Sequence, residues 1–257
     1  MIHMITKFFL NPPKWEEYKD FYQLTIFRYL AMWFSIVPLV AGLLSGLPDP
    51  LPINLANNTY LVKLELPFNW KILWLSSLFF LISFGLYLKQ CPPFIKKYNQ
   101  FSDYLAYCHD KRWMAWLIKE LFESKIDFKK FRDRMLEKGY AEKAPSNFKK
   151  TKDNPIVLEK QTVVYIEVDG NTYISSFPFK GSPDEANEVE RGVFWEIFGR
   201  YSSSNRISRI IIRVLLLISA ALFSIVLIQN IYVGLVYLAP SLEYNFEAMK
   251  AYIGNYL

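Results

Sequence analysis

The sequence predicts a mainly α integral membrane protein with three transmembrane helices and a small α+β cytoplasmic domain inserted between the second and third spans. Three observations predict this class. Long runs of the chain lack charged residues, Lys and Arg are concentrated in two segments, and the longest polar segment changes from helical to alternating periodicity. Of 257 residues, 52% are hydrophobic and 18% aromatic. This composition excludes a disordered or collagen-like chain.

The three apolar runs have the length of membrane spans. They contain 19, 17 and 25 residues without a charge: Tyr29–Leu47, Ile72–Leu88 and Val214–Leu238. About 20 apolar residues in a helix cross a hydrocarbon layer of about 30 Å. The second run is short, but Trp70 and Tyr87 at its ends suit the headgroup level. We therefore expect three spans.

The distribution of basic residues predicts the topology. Residues 1–28 hold four of the 30 Lys and Arg, and residues 89–213 hold 23. Because positive flanks stay on the cytoplasmic side, the N-terminus is expected inside and the C-terminus outside. The predicted segments are a cytoplasmic or interfacial amphipathic segment (1–28), transmembrane helix 1 (29–47), an outer loop with a possible short hairpin (48–71), transmembrane helix 2 (72–88), the cytoplasmic α+β domain (89–205), a basic joint with transmembrane helix 3 (206–238), and an outer aromatic tail (239–257).

Two short segments near the membrane have their own signals. Residues 13–22 alternate rings with charges, which is typical of a helix that lies in the interface and leads into the first span. In the outer loop, Asn57-Asn58 separates two apolar stretches and favours a short hairpin. Ser202, Ser203 and Ser204 precede the third span, and we interpret them as a flexible joint.

The cytoplasmic domain is predicted to combine helices with a hairpin. Apolar residues recur at helical spacing over 113–121 and 128–135, and Gly139 suits the end of the second helix. Asp169-Gly170 favours a type I′ turn that pairs Val168 with Asn171. One face of this hairpin must then cover a strand at 156–160, the following helix or a protein partner, and we expect partner docking by Val164, Ile166, Tyr173, Phe177 and Phe179. Ser182 and Glu185 form a capping box at the start of that following helix.

Two further sets of residues are assigned to the membrane. Contact with anionic headgroups is expected from the basic residues at the span ends, namely Arg206, Arg209, Arg213, Lys89, Lys96 and Lys97. Helix packing or self-association is expected from small and amide residues in the spans, namely Ser35, Gly42, Gly46, Gln229, Asn230 and Gly234. Packing within one subunit and oligomerisation both remain open.

No residue pattern indicates a reaction, and no catalytic, cofactor-binding or metal-binding residue is predicted. Cys91, Cys108 and His109 lack the spacing and the fourth ligand of a metal site. Glu120, Glu123 and Asp127 alternate with lysines, which is typical of a solvated helix face. The basic run 149–152 lacks interleaved aromatic residues, so no direct contact with nucleic acid is expected.

These observations favour a non-enzymatic, oligomeric subunit of a bacterial inner membrane whose cytosolic domain senses or docks a protein partner. Its concrete form would be a membrane-disrupting effector of an antiphage defence or toxin-type system, by analogy of architecture. The alternative is a scaffold or accessory subunit of a secretion, transport or envelope complex. A membrane enzyme that acts on lipid or peptide is a third hypothesis.

Overall fold

The structure, a computed structural model, describes residues 12–48, 51–55, 58–62, 68–124, 126 and 128–254. The chain is mostly helical and carries a four-stranded antiparallel sheet. In chain order the elements are α1 (Trp15–Gln23), α2 (Thr25–Ser45), β1 (Leu51–Leu55), β2 (Asn58–Val62), α3 (Trp70–Gln90), α4 (Pro93–Lys97), α5 (Phe101–Ala106), α6 (Trp113–Glu123), α7 (Phe128–Glu137), β3 (Glu142–Lys143), β4 (Ile156–Val157), β5 (Thr162–Val168), β6 (Asn171–Phe177), α8 (Pro183–Ser203) and α9 (Arg206–Gly254).

The chain forms two compact units, each built from two segments. The first unit contains Met1–Phe21 and Lys89–Arg209, and the second contains Tyr22–Leu88 and Ile210–Leu257. The four-stranded sheet and helices α4 to α8 belong to the first unit, which we call the α+β domain.

Within the described part of the chain, two helices are long and apolar enough to cross a membrane: α3, and the Arg206–Val236 part of α9. They coincide with the second and third predicted spans. Helix α2 covers most of the first predicted span and contains Pro38. Its crossing of the membrane stays a prediction, as does the topology. Helix α9 also continues through most of the predicted outer tail, as far as Gly254.

Side-chain hydrogen bonds join the helices of the second unit. The hydroxyl of Ser76 in α3 donates to the carbonyl oxygen of Ser219, and the hydroxyl of Ser219 in α9 donates to that of Ser76, each at 2.9 Å. Small hydroxyl residues permit close helix approach and supply hydrogen bonds where water is absent. Val37, Leu73 and Val226 form a buried cluster between α2, α3 and α9.

The short hairpin predicted within residues 48–71 is present, although Asn58, which was expected to separate the two strands, belongs to β2. Strands β1 and β2 pair antiparallel, with Leu55 opposite Asn58. A short hairpin therefore connects α2 to α3 along the chain.

The sheet of the α+β domain has the order β3-β6-β5-β4. Val168 pairs with Asn171, as predicted. Asp169 and Gly170 have φ of 53° and 77°, and positive φ at both central residues is what a type I′ turn requires. The neighbouring strand predicted at 156–160 is present but shorter, since β4 ends at Val157.

The prediction that this hairpin face docks a partner is wrong for three residues. Val164, Ile166 and Phe177 are buried inside the domain, where α6 packs against β5 and β6. A two-stranded hairpin is unstable while one apolar face meets water, and here a helix of the same chain covers that face. Tyr173 and Phe179 are partly exposed, and docking by these two stays a prediction.

Helix α8 begins as the sequence predicts. The Ser182 hydroxyl accepts a hydrogen bond from the backbone N–H of Glu185, and the Glu185 carboxylate accepts one from the N–H of Ser182. This reciprocal capping satisfies two backbone donors that the helix leaves unpaired. Helix α8 then crosses the core of the domain, where the Phe194 ring lies 5.4 Å from the ring centroid of Phe94.

The core also contains a carboxyl group, that of Glu190, which is only 4% exposed. Glu190 follows Ala186 by four residues, so it lies on the apolar stripe of α8. Burial raises the pKa of Glu190, the nearby Asp110 adds to the increase, and Lys111 opposes it. The folded protein therefore favours the protonated carboxyl more than the unfolded chain does.

This pKa shift predicts a specific pH dependence. A group whose pKa is raised on folding stabilises the protein below its unfolded pKa of about 4.3, and this contribution is lost as the pH rises through the folded pKa. We expect Glu190→Gln to leave the melting temperature nearly unchanged at about pH 4 and to raise it increasingly toward pH 8. The measurement is thermal unfolding of the purified chain in detergent.

Glu188→Gln is the matched control, because it removes the same charge from an exposed position of the same helix. Equal pH dependence of the two variants would contradict a raised pKa of the buried Glu190.

Candidate functional site

The joint between α8 and α9 is a densely hydrogen-bonded feature that the sequence did not predict. Helix α8 ends at Ser203, and Asn205 adopts a left-handed conformation with φ of 48°. Asn tolerates this conformation better than most residues. The Asn205 side-chain amide donates to the carbonyl oxygen of Gln90 at 3.1 Å. The hydroxyls of Ser203 and Ser204 donate back to carbonyl oxygens of the last turn of α8.

Arg209, in the first turn of α9, holds this joint closed. Its side chain is 5% exposed. The guanidinium donates from Nε to the Ser204 carbonyl oxygen at 2.9 Å and from Nη2 to that of Ser203 at 2.7 Å. These carbonyls end α8, where the helix dipole is negative, so a cation is favoured there. Arg209 thus acts as a C-terminal cap of the preceding helix.

The same guanidinium also binds the N-terminal segment. Nη1 donates to the carbonyl oxygens of Pro13 at 2.7 Å and Pro12 at 3.2 Å. The planar guanidinium carries five N–H donors in a fixed fork, which a lysine ammonium does not reproduce. One side chain therefore connects the start of the described chain to a joint almost 200 residues later.

Aromatic side chains of α1 add further hydrogen bonds to the joint between α8 and α9. The indole N–H of Trp15 donates to the Ser204 carbonyl oxygen at 3.0 Å, and the hydroxyl of Tyr18 donates to the Arg209 carbonyl oxygen at 2.8 Å. The buried ammonium of Lys19 donates to the Ile95 carbonyl oxygen at 2.9 Å. We call the set Pro12, Pro13, Trp15, Tyr18, Ser203, Ser204 and Arg209 the arginine joint.

The arginine joint corrects three expectations. Ser202–Ser204 is not a flexible linker, because Ser202 and Ser204 are buried and the carbonyl oxygens of Ser203 and Ser204 accept hydrogen bonds from Arg209. Trp15 and Tyr18 are buried within the protein, so the rings of α1 are not presented to a membrane interface. Arg209 does not contact headgroups, since its guanidinium donors are directed at backbone carbonyls inside the domain.

The other basic residues assigned to headgroups lie nearer the surface. Arg206, Lys89 and Lys97 are exposed, whereas Arg213 and Lys96 are partly buried. Their contact with headgroups stays a prediction. The spacing of the three arginines did not distinguish Arg209 from its neighbours. The rings of Trp15 and Tyr18, three residues apart on one face of α1, were read as interfacial, although the same spacing also suits a face packed against protein.

The residues assigned to helix packing are placed as follows. Gln229 accepts a hydrogen bond at its Oε1 from the backbone N–H of Asn69 at 3.0 Å, just before α3. Asn230 donates to the Val226 carbonyl oxygen within its own helix at 3.1 Å. Gly46 ends α2, and a Cβ added at Gly42 or Gly234 would meet nothing within 4 Å. The side chain of Ser35 lies outside the described part of the structure.

Among the described residues, no group of three or more His, Cys, Asp or Glu is placed to hold a metal ion. Cys91 is buried and Cys108 is exposed. Glu120 and Glu123 are exposed on α6, as expected of a solvated face.

Comparison with protein families, curated proteins and solved structures finds no significant match to this chain.

Loss of the arginine joint has a measurable consequence. Arg209→Ala removes the guanidinium donors from the carbonyl oxygens of Pro12, Pro13 and Ser203, whereas the Ser204 carbonyl keeps the Trp15 indole. Each buried acceptor left without a donor costs about 1–3 kcal/mol. We expect the melting temperature in detergent to fall by about 5 °C or more and protease cleavage near 202–206 to accelerate. Arg209→Lys is expected to lie between Arg209→Ala and the wild type, because its ammonium cannot reach all four carbonyls.

Arg206→Ala is the control, since it removes the same charge one turn earlier from an exposed position. Wild-type protease resistance in Arg209→Ala would show that the joint is not held by this side chain.

Proposed function

We propose that the chain is a non-enzymatic membrane subunit in which binding of a protein partner to the α+β domain is transmitted through the arginine joint to α9. The observation that carries this proposal is the buried Arg209, which fastens the end of α8 to the first turn of α9 and to the N-terminal segment. A displacement of α8 at this point must move α9 with it, because the carbonyls and the guanidinium form one hydrogen-bonded unit.

A stiff joint favours transmission over simple anchoring. A domain that only needs tethering to a membrane is served by any flexible linker. Burying a guanidinium, in contrast, carries a desolvation cost that must be offset by well-placed acceptors. The joint meets that requirement with four carbonyl oxygens. Such a connection is useful when a change in the orientation of α8 has to change the orientation of α9.

The concrete form that we propose is an oligomeric, membrane-disrupting effector of a bacterial antiphage or toxin-type system, located in the inner membrane with its α+β domain in the cytosol. Two helices of membrane-spanning length support membrane association. The effector role rests on architectural analogy. A scaffold or accessory subunit of an envelope complex is the alternative, and it does not need the joint to be stiff.

The partner is proposed to dock at an open groove between α5 and α8, because most of the hairpin face is internal. The groove has a volume of about 580 Å³ and exposes Leu105 and Trp195. Asn187, Glu188 and Arg191 also line it. Trp and Arg are enriched among residues that dominate binding energy, particularly where polar groups surround an apolar centre. The occupant suited to this lining is a protein segment with an apolar anchor flanked by polar groups.

The effector proposal predicts membrane damage that depends on the joint. Bacterial cells that express the chain, alone or with its genomic neighbours, are expected to lose membrane potential, as measured with a potential-sensitive dye. Arg209→Ala, at matched membrane abundance, is expected to prevent this loss, and Arg206→Ala is expected to preserve it. Stable potential in wild-type cells under both conditions would contradict the effector role and favour the scaffold.

The groove proposal predicts a separate loss. Trp195→Ala removes a ring that is 42% exposed, so its effect on folding is expected to be small. In a pull-down of the proteins encoded by the genomic neighbours, we expect Trp195→Ala to recover about tenfold less partner or lower still, as for a tryptophan at the centre of an interface. Leu158→Ala, at an exposed apolar side chain outside the groove, is the control. Equal recovery of partner by Trp195→Ala and wild type would exclude the groove.

A further inference from the structure

A row of stacked rings lies on the surface of the α+β domain. The rings of Tyr107 and His109 are 5.5 Å apart and inclined by 5°, and those of His109 and Trp113 are 5.3 Å apart and inclined by 8°. Trp116 extends the row at 6.0 Å from Trp113. Tyr107, Trp113 and Trp116 remain 51%, 45% and 36% exposed. We call these four side chains the aromatic ledge.

A basic residue completes one end of the ledge. The ammonium of Lys97 lies 4.1 Å from the centroid of the Tyr107 ring, which is a cation–π contact. It also lies 3.5 Å from Nε2 of His109. Burial and Lys97 lower the pKa of His109, so the imidazole is neutral near pH 7 and leaves Lys97 as the positive group of the row.

We propose that the aromatic ledge, with Lys97, contacts the anionic headgroup layer of a bilayer. Tyr and Trp prefer this layer because each has an apolar body and a polar N–H or O–H. A lysine near the surface adds attraction to anionic lipid. The ledge thus combines, on one surface, the ring type and the charge that this layer favours.

Chain position and local charge support a lipid occupant. Lys97 follows the end of α3 at Gln90 by seven residues, a distance of at most about 25 Å along an extended chain. Four basic and two acidic residues lie between Pro93 and Trp116, so this stretch has a net positive charge. The inference rests on membrane residence of the chain and is independent of membrane disruption.

A single-stranded nucleic acid is the competing occupant, and the geometry disfavours it. Stacking platforms for bases leave ring faces open for each base. Here neighbouring rings are already within stacking distance of one another, which closes the faces between them. The lipid occupant needs only the exposed edges and the outer side of the row.

The ledge contains a native probe position. Cys108 lies between Tyr107 and His109 in the chain and is exposed, whereas Cys91 is buried. A nitroxide attached to Cys108 in a Cys91→Ser chain can therefore report its depth by relative accessibility to oxygen and to a water-soluble nickel reagent. The full chain is placed in nanodiscs of phosphatidylcholine, with or without phosphatidylglycerol.

In phosphatidylglycerol nanodiscs we expect the Cys108 label to be at least about threefold less accessible to nickel than a label at Asp184→Cys. Asp184 is an exposed position of α8, and this second chain also carries Cys108→Ser. Lys97→Gln is expected to bring the two nickel accessibilities to within about twofold of each other, because the attraction of one lysine to anionic lipid is lost. Trp113→Ser with Trp116→Ser is expected to remove it while thermal unfolding remains cooperative.

Three results would overturn the inference. One is equal nickel accessibility at positions 108 and 184 in both lipids. Another is protection by an added single-stranded oligonucleotide but not by phosphatidylglycerol. The last is a water-exposed label at Ile228→Cys, because that exposed apolar position of α9 should lie in hydrocarbon. Only this last result also removes membrane residence, on which the proposed function depends.

Discussion

The guanidinium of Arg209 is the interaction on which the connection between α8 and α9 depends. It caps the C-terminal carbonyls of α8 from the first turn of α9 and, with the same fork, binds two carbonyls of the N-terminal segment. A buried cation without acceptors would be severely unfavourable, so the surrounding backbone has to adopt this arrangement. Asn205 adopts its left-handed conformation within the same joint, and Trp15 and Tyr18 of α1 donate hydrogen bonds to it.

The joint determines which functions are physically reasonable. A flexible serine linker would let the α+β domain move without consequence for α9. The bonded joint instead makes α1, the end of α8 and the start of α9 move together, which is the requirement for passing a binding event along the chain. In the second unit, helix packing uses hydrogen bonds from serine hydroxyls to backbone carbonyls. The reciprocal bonds between Ser76 and Ser219 join α3 to α9 in this way.

Several elements were predictable because their causes are local. The second and third apolar runs became helices of spanning length, Asp169-Gly170 formed its turn, and Ser182 with Glu185 formed its capping box. For Glu190, the sequence shows only that a carboxylate lies on the apolar stripe of α8, and it does not show that this side chain is buried. The hairpin face was wrongly assigned to partner docking. Alternation of apolar and polar residues along a strand identifies an apolar face, but it does not identify what covers that face. In the structure α6 covers it, although α6 precedes the hairpin by about 40 residues.

The sequence by itself determined two helices of membrane-spanning length, the positions of the capping box and the hairpin, and the basic character of the segments beside the apolar runs. These depend on run length, periodicity and turn residues within a few positions of one another. Tertiary structure alone decided that Arg209 is a buried cap while Arg206 is exposed, and that the rings of α1 are internal. The reason is that the partners of Arg209 are backbone carbonyls, which every residue carries, so no side-chain pattern in the sequence identifies them.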